Sequence, residues 1–195
     1  FYDYIGNPGL KTEQSLEGNF SLAYKNDRFS TKLGSSYFHI RNYIIGTVST
    51  NVLPMTIGAS GVKTYQSFDY ATVFNTDLNA EYKLPDHWNF KAQLAYSRGQ
   101  DSDGNNLPFM SPLRYSGAIQ YKTGFLNLGL NASGNLAQQQ FAAVYGETKT
   151  AAYVIFGLNA GYAIKWNRMQ TQLQTGIENI FDAHYTTFSD WSGIS

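Results

Sequence analysis

Leu16-Glu17-Gly18-Asn19-Phe20-Ser21-Leu22-Ala23-Tyr24-Lys25 decides the fold. Its even positions are Leu16, Gly18, Phe20, Leu22 and Tyr24, and its odd positions are Glu17, Asn19, Ser21, Ala23 and Lys25. Successive side chains of a strand point to opposite faces, so a period of two with this composition is a β-strand apolar on one face and polar on the other. Outward from this stretch the split recurs seven more times. Tyr70, Phe74, Leu78, Ala80 and Tyr82 oppose Asp69, Asn75, Asp77, Asn79 and Glu81. Trp88, Phe90, Ala92, Leu94 and Tyr96 oppose Asn89, Lys91, Gln93 and Ser97. Leu113, Tyr115, Ile119 and Tyr121 face Arg114, Ser116, Gln120 and Lys122, and Leu126, Leu128, Leu130 and Leu136 face Asn127, Asn131, Ser133 and Asn135. Val154, Phe156, Leu158, Ala160, Tyr162 and Ile164 form a further stripe, and Met169, Leu173 and Ile177 face Gln170, Gln172, Gln174 and Glu178. The weakest repeat starts at Arg28, where Phe29, Leu33 and Tyr37 alternate with Lys32 and Ser36 until Phe38 interrupts.

The pattern predicts eight strands of roughly ten residues or slightly more, the length a tilted strand needs to cross a bilayer (about 9–11 residues). Strands of ordinary globular domains are nearer 5–6 residues. Short turns at Asn26-Asp27, Pro85-Asp86, Thr123-Gly124 and Asn167-Arg168 alternate with long connections from Arg41 to Ser67, Arg98 to Pro112 and Gln138 to Ala151. Strands joined in this way are antiparallel, so every short turn falls at one end and every long loop at the other. Tyr24, Tyr82, Trp88, Tyr121 and Tyr162 stand beside the short turns, and Tyr70, Tyr96 and Tyr115 near the loops, each in register with an apolar stripe. Rings at both ends of an apolar band are the girdles of a membrane barrel. The expected class is all-β: an antiparallel transmembrane β-barrel.

Composition agrees. Lys+Arg and Asp+Glu are 14 each in 195 residues, which leaves no basic surface for nucleic acid. No run of about 18 apolar residues offers a transmembrane helix. The mean hydropathy of −0.33 suits a barrel, whose strands show lipid only every second residue. Cysteine is absent, which excludes disulfides and thiolate metal sites. Phe1-Tyr2-Asp3-Tyr4 has neither the basic nor the apolar segment of a secretory leader, as expected of a processed or partial chain.

Three segments carry a family resemblance. Asn7-Pro8-Gly9-Leu10-Lys11-Thr12-Glu13 with Ser15-Leu16-Glu17 resembles the N-P-x-L-K-x-E-x-S-x-x-x-E signature of TonB-dependent receptors. Leu107-Pro108-Phe109-Met110-Ser111-Pro112 is similar to the L-P-x-x-P that opens a late strand in that family. Gly176-Ile177-Glu178-Asn179-Ile180-Phe181-Asp182-Ala183-His184-Tyr185 resembles its G-x-x-N-L-F-D-x-x-Y signature before the last strand. The resemblance implies a 22-stranded barrel with a plugged lumen, of which residues 1–195 would be about eight strands from the C-terminal part, the plug domain and last strand absent. Eight such strands are expected not to close alone, with Leu16 and Ile177 on edge strands. The resemblance further implies a Gram-negative outer-membrane receptor for a scarce nutrient. Its ligand would bind the extracellular loops and plug. Its partners would be outer-membrane lipid, the TonB energy-transducing complex acting through the plug, and a small molecule such as a metal chelate. The expected ligands are ferric siderophore, copper, cobalamin and oligosaccharide, in that order.

Candidate binding residues are few. His39, His87 and His184 are the three histidines, and none is paired at the spacing of a zinc motif. His39 and His184 fall near long-loop ends, and Met55 and Met110 lie in loops. Thioether sulfur is a ligand for Cu(I), so these four are the loop candidates, with packing as the plainer role of the methionines. Asp101-Ser102-Asp103-Gly104-Asn105-Asn106 looks like a calcium loop, but Gly104 and Pro112 fall where an EF-hand needs other residues, so a solvated loop tip is expected. Glu17, Asp77, Glu81 and Glu178 are read as polar-face carboxylates of a wet lumen wall or of a surface that contacts the plug. Nucleophile elbows and phosphate loops are missing, no cofactor is implied, and an enzyme is not expected. The rival architectures are a soluble β-sandwich or jelly-roll binding module and a small autonomous outer-membrane barrel.

Overall fold

The computed structural model describes residues 1–167 and 169–189. The half of the Asn167-Arg168 turn at Arg168 and the expected terminal loop at Ser192-Gly193-Ile194-Ser195 lie outside the described residues. Eight strands form one antiparallel meander: β2 (Gln14–Lys25), β3 (Phe29–Ser49), β4 (Val62–Lys83), β5 (Trp88–Asp101), β6 (Arg114–Lys122), β7 (Leu126–Asn135), β8 (Tyr153–Trp166) and β9 (Met169–Ile177). All eight predicted strands are present. A ninth went unpredicted: β1 (Asp3–Ile5) pairs in parallel with β4, Asp3 beside Val62. Three residues are too few for a period to register.

The register builds two unlike faces. Leu22, Leu33, Leu78, Leu94 and Tyr115 are successive cross-strand partners, as are Phe90, Ile119, Leu130, Leu158 and Ile177. These rows run the width of the sheet on one face, and all but the half-buried Leu33 and Tyr115 are exposed; Leu22 is 59 % and Leu158 47 % accessible. The described residues form a single sheet, so nothing covers this apolar face as a sandwich would require. The opposite face carries Asn79, Lys91, Gln93, Gln120 and Asn131. β2 and β9 are the sheet's two edges, and both are exposed along their described length.

The turn end is held locally. Asn26 Oδ1 accepts from the N–H groups of Arg28 (2.9 Å) and Phe29 (2.7 Å), and Thr123 Oγ1 accepts from Leu126 N at 3.0 Å. Asp86 and His87 take positive φ (56° and 72°), the mirror-image turn geometry that closes hairpins. Above these turns the rings form chains of contacts. Tyr24 meets Phe29 at 6.2 Å and Phe29 meets Tyr82 at 6.4 Å; Trp88 meets Tyr121 at 5.0 Å, and Phe125 meets Tyr162 at 5.7 Å.

The loop end corrects the expected boundaries. The connection read as running from Arg41 to Ser67 is mostly strand: β3 and β4 have 21 and 22 residues and pair to Ser49 and Val62. The interruption seen at Phe38 does not end β3. Asn42 takes φ 51°, alone among described strand residues, and the alternation breaks beside it. Beyond Asn42 apolar residues pack under the loops instead of toward the apolar face: Tyr43, Ile45 and Phe68 join Val73 around the buried Ala71, Leu107, Ala142 and Tyr145. This is the core of the chain, and it lies at the loop end.

Candidate functional site: the loop platform and the polar wall

Each of the three motifs has a structural task at this end. In the first, Asn7 Oδ1 accepts from Gly9 N (2.9 Å), and Asn7 Nδ2 donates to the Tyr65 carbonyl (3.3 Å). Glu13 Oε1 accepts from Ile44 N at 2.6 Å, and Asn42 Nδ2 donates to the Thr12 carbonyl. The segment thereby clamps the start of β2 to the extended β3–β4 hairpin.

In the second, β6 accompanies β5 only as far as Ala95, and the loop folds back to pair with the remainder of β5. Ser97 N donates to the Ser111 carbonyl, Leu107 N to that of Gly99 and Asp101 N to that of Asn105. Leu107 is buried and Met110 packs against the same cluster. A Cβ at Gly99 would come within 2.9 Å of both, so any side chain there would make Leu107 and Met110 shift.

In the third, Asn179 Oδ1 accepts from Ala183 N (2.9 Å) while its Nδ2 donates to the Ala183 carbonyl (3.0 Å). That closed loop lets Phe181 meet Phe156 edge-on and Tyr185 stack on Tyr153 at 4.4 Å.

Two buried carboxylates join the loops. The expected solvated tip holds at Asp103 and Gly104, which are exposed, but Asp101 is 4 % exposed: the loop wraps its own first residue. Asp101 accepts from the N–H groups of Asp103 and Asn105, from the Asn105 side chain, and from Tyr145 Oη across the loops. Burial, helped by the bond to Asp101 and its charge, holds the Tyr145 hydroxyl far above the ordinary tyrosine range. Glu147 accepts from Ala142 N (2.7 Å) and from Phe109 N (3.3 Å). Sequence reasoning took Asp101 as part of a solvated tip and missed Glu147, since an acidic residue in a loop reads as solvated unless its donors are known. A cavity of about 210 Å³ lies between the loops and is lined by Tyr96, Arg98, Asn106, Met110, Gln138 and Gln140.

The four loop candidates do not converge. His39 stands on the apolar-face side of β3 and stacks on Tyr70 at 5.3 Å. Met55 is 94 % exposed at the tip of the β3–β4 hairpin. Met110 lines the cavity and packs on the core, and His184 is exposed beyond β9. Among the described residues no three His, Cys, Asp or Glu side chains are grouped to hold a metal ion. Three of the wall carboxylates lie where the alternation puts them: Asn19 Nδ2 donates to Glu17 Oε1 (2.8 Å), Asn79 Nδ2 to Asp77 Oδ2 (3.0 Å) and Asn89 Nδ2 to Glu81 Oε1 (2.7 Å), whereas Glu178 falls just past the end of β9. Lys91 Nζ lies 3.9 Å from Glu81.

This architecture has known counterparts. The copper transporter OprC superposes with a TM-score of 0.79 at 23 % identity, over 93 % of this chain and 27 % of that one. The FrpB iron transporter from Neisseria meningitidis gives 0.68 at 12 % identity, over 97 % and 30 %. The siderophore receptor PirA from Pseudomonas aeruginosa gives 0.64 at 17 % identity, over 93 % and 29 %. The chain thus spans under a third of the length of each. No curated protein matches the sequence. The family model described as TonB dependent receptor-like, beta-barrel matches residues 1–180. The chain belongs to the TonB-dependent receptor β-barrel family, as one part of such a barrel.

Proposed function

We propose that residues 1–195 are the C-terminal part of the barrel wall of an outer-membrane receptor that takes up a scarce nutrient, with energy delivered by the TonB complex through a plug encoded elsewhere in the protein. The observation that carries this reading is the apolar belt, exposed across all eight meander strands and edged by aromatic rings, against a hydrogen-bonded polar face. Lipid covers such a belt without a second protein layer. The polar face then lines the lumen, and the interlocked loops stand outside the cell. The ligand class is a ferric siderophore or another metal chelate, copper included. Support for it comes from the three structural neighbours, a copper transporter, an iron transporter and a siderophore receptor.

Two measurements test this. A strain lacking the whole gene, grown under iron or copper limitation with candidate chelates, should lose growth on one of them and regain it with the intact gene; no phenotype on any would sink the uptake reading. An Arg at mid-bilayer on a lipid-facing strand position costs about 2–4 kcal/mol, so Leu128→Arg should impair assembly of the receptor far more than Asn131→Arg. Equal assembly of the two would refute the face assignment.

A further inference from the structure

The apolar face carries charge at one end only. Its register rows hold no carboxylate; Glu17, Asp77 and Glu81 all fall in polar rows. They hold two arginines, both at the loop end: Arg98 lies in the row of Phe74, Tyr37 and Gly18, and Arg41 pairs with Tyr70. The turn-end cations Lys25, Lys83, Lys122 and Lys165 fall in polar rows instead. Both arginines are exposed, and neither has an ion pair or a side-chain hydrogen bond to a described residue. Arg98 stands on β5, with three meander strands on one side and four on the other. Its face turns away from the lumen, so neither a plug nor more of the wall would cover it.

A cavity of about 210 Å³ opens beside Arg98, where the β5–β6 and β7–β8 loops meet β5. Tyr96 and Arg98 line it from β5, Leu113 and Leu136 from beside the ends of β6 and β7, and Asn106 and Gln140 from the loops. Tyr96 Oη donates to Gln140 Oε1 at 3.4 Å, which leaves Gln140 Nε2 to donate elsewhere. Arg98 is two residues past Tyr96, or about 7 Å along the strand. That step carries it beyond the ring girdle and into the layer where headgroups lie.

We propose that this cavity and its cationic rim hold the phosphate-bearing headgroup of an outer-leaflet lipid, whose acyl chains lie on the apolar belt. The inference rests on the membrane reading of that belt given above. A charge on the lipid face is costly at mid-bilayer and nearly free at the interface. There arginine lays its stem on apolar surface and keeps its head wet. Its planar fork matches phosphate with two hydrogen bonds, and the unused Gln140 amide is a further donor. With no carboxylate in these rows, the arginine charge is left for an anionic headgroup. Leu113 and Leu136 suit the first methylenes of the chains, and Arg41 extends the rim across β4. The site faces lipid, so it is separate from the path of any imported nutrient.

The test uses the whole receptor, purified in non-ionic detergent, with native mass spectrometry as the readout. The probe is lipid A, in its diphosphorylated form and with both phosphates removed. Wild type is expected to bind the diphosphorylated form roughly tenfold more tightly. Arg41→Gln combined with Arg98→Gln should abolish the preference, Lys25→Gln should keep it, and excess inorganic phosphate should not displace the lipid. Equal wild-type affinity for the two forms, an undiminished preference in the double variant, an equal loss in Lys25→Gln, or displacement by inorganic phosphate would each overturn the proposal. The wild-type comparison needs no variant, so it decides even where a substitution perturbs folding. A receptor that binds no detergent would fail the membrane reading itself; one that binds detergent without preferring phosphate fails this proposal alone.

Discussion

The two ends of the sheet are stabilised in opposite ways. At the turn end, two hairpins close within four residues: Asn26 serves Arg28 and Phe29, and Thr123 serves Phe125 and Leu126. At the loop end, contacts join residues far apart in the chain: Tyr145 to Asp101, Glu147 to Phe109, Glu13 to Ile44, Asp3 to Met55. Local closure costs little chain entropy, so a turn survives almost any neighbour. A non-local platform orders long segments and needs buried groups that pair only when every loop is in place. The difference teaches that the loop end should fail cooperatively and the turn end piecemeal.

The largest effect is therefore expected at Asp101. Asp101→Ala leaves the buried Tyr145 hydroxyl without its acceptor, and also the part-buried Asn105 side chain and the N–H groups of Asp103 and Asn105, which water reaches. A buried orphan costs about 1–3 kcal/mol, so the platform should loosen by about that much. The check is hydrogen exchange over 102–113 and 136–152 of the whole receptor, where both loops should lose protection together. Loss confined to 102–106 would show that the loops are independent, and the contrast between the two ends would fail.

A smaller effect is expected at Asn26. Asn26→Ala removes two side-chain hydrogen bonds in an exposed turn, worth about 0.5–1.5 kcal/mol each and partly replaced by water. The backbone bond from Asn26 N to the Phe29 carbonyl (2.8 Å) remains. Heat-induced unfolding of the receptor should hardly shift, and exchange should rise only beside the turn. A fall in stability comparable to that of Asp101→Ala would erase the distinction.

The same contrast sets what the sequence reveals. Period two exposed all eight long strands, because face alternation is written into each strand singly. The short turns were legible for the same local reason. β1 was not, since three residues gain strand geometry only from β4. The upper halves of β3 and β4 were read as loop, because past Asn42 the apolar residues serve a core built by Leu107, Ala142 and Tyr145, far along the chain. The motifs identified the family, but not that Leu107 packs on Gly99 or that Asn179 closes its own loop. His39, Met55, Met110 and His184 were singled out by side-chain chemistry, which carries no information about direction. His39 turns to the Tyr70 side and Met110 to the core.

The smallest effect sits at the tip of the β3–β4 hairpin and depends on pH. Asp3 Oδ2 accepts from Met55 N (2.7 Å) and Thr56 N (2.9 Å), tying β1 to the tip. Hydrogen bonds from Thr56, side chain and then backbone, hold the Asp3 carboxyl below its ordinary value of 3.8, with Met55 N adding and slight desolvation opposing. A carboxyl lowered in the folded state favours the clamp fully above the unfolded value, and the contribution is lost as pH falls through the folded one. Protection of the Met55 and Thr56 amides, corrected for intrinsic exchange, should stay flat from neutral pH to about 5 and decline only below the ordinary carboxylate range. In Asp3→Ala the protection should be low throughout and show no acid step. Because the site is solvent-exposed, the change should stay within residues 50–61 and leave the Asp101–Tyr145 platform untouched. An acid step that persists in Asp3→Ala would assign the titration to another group and remove Asp3 from the clamp.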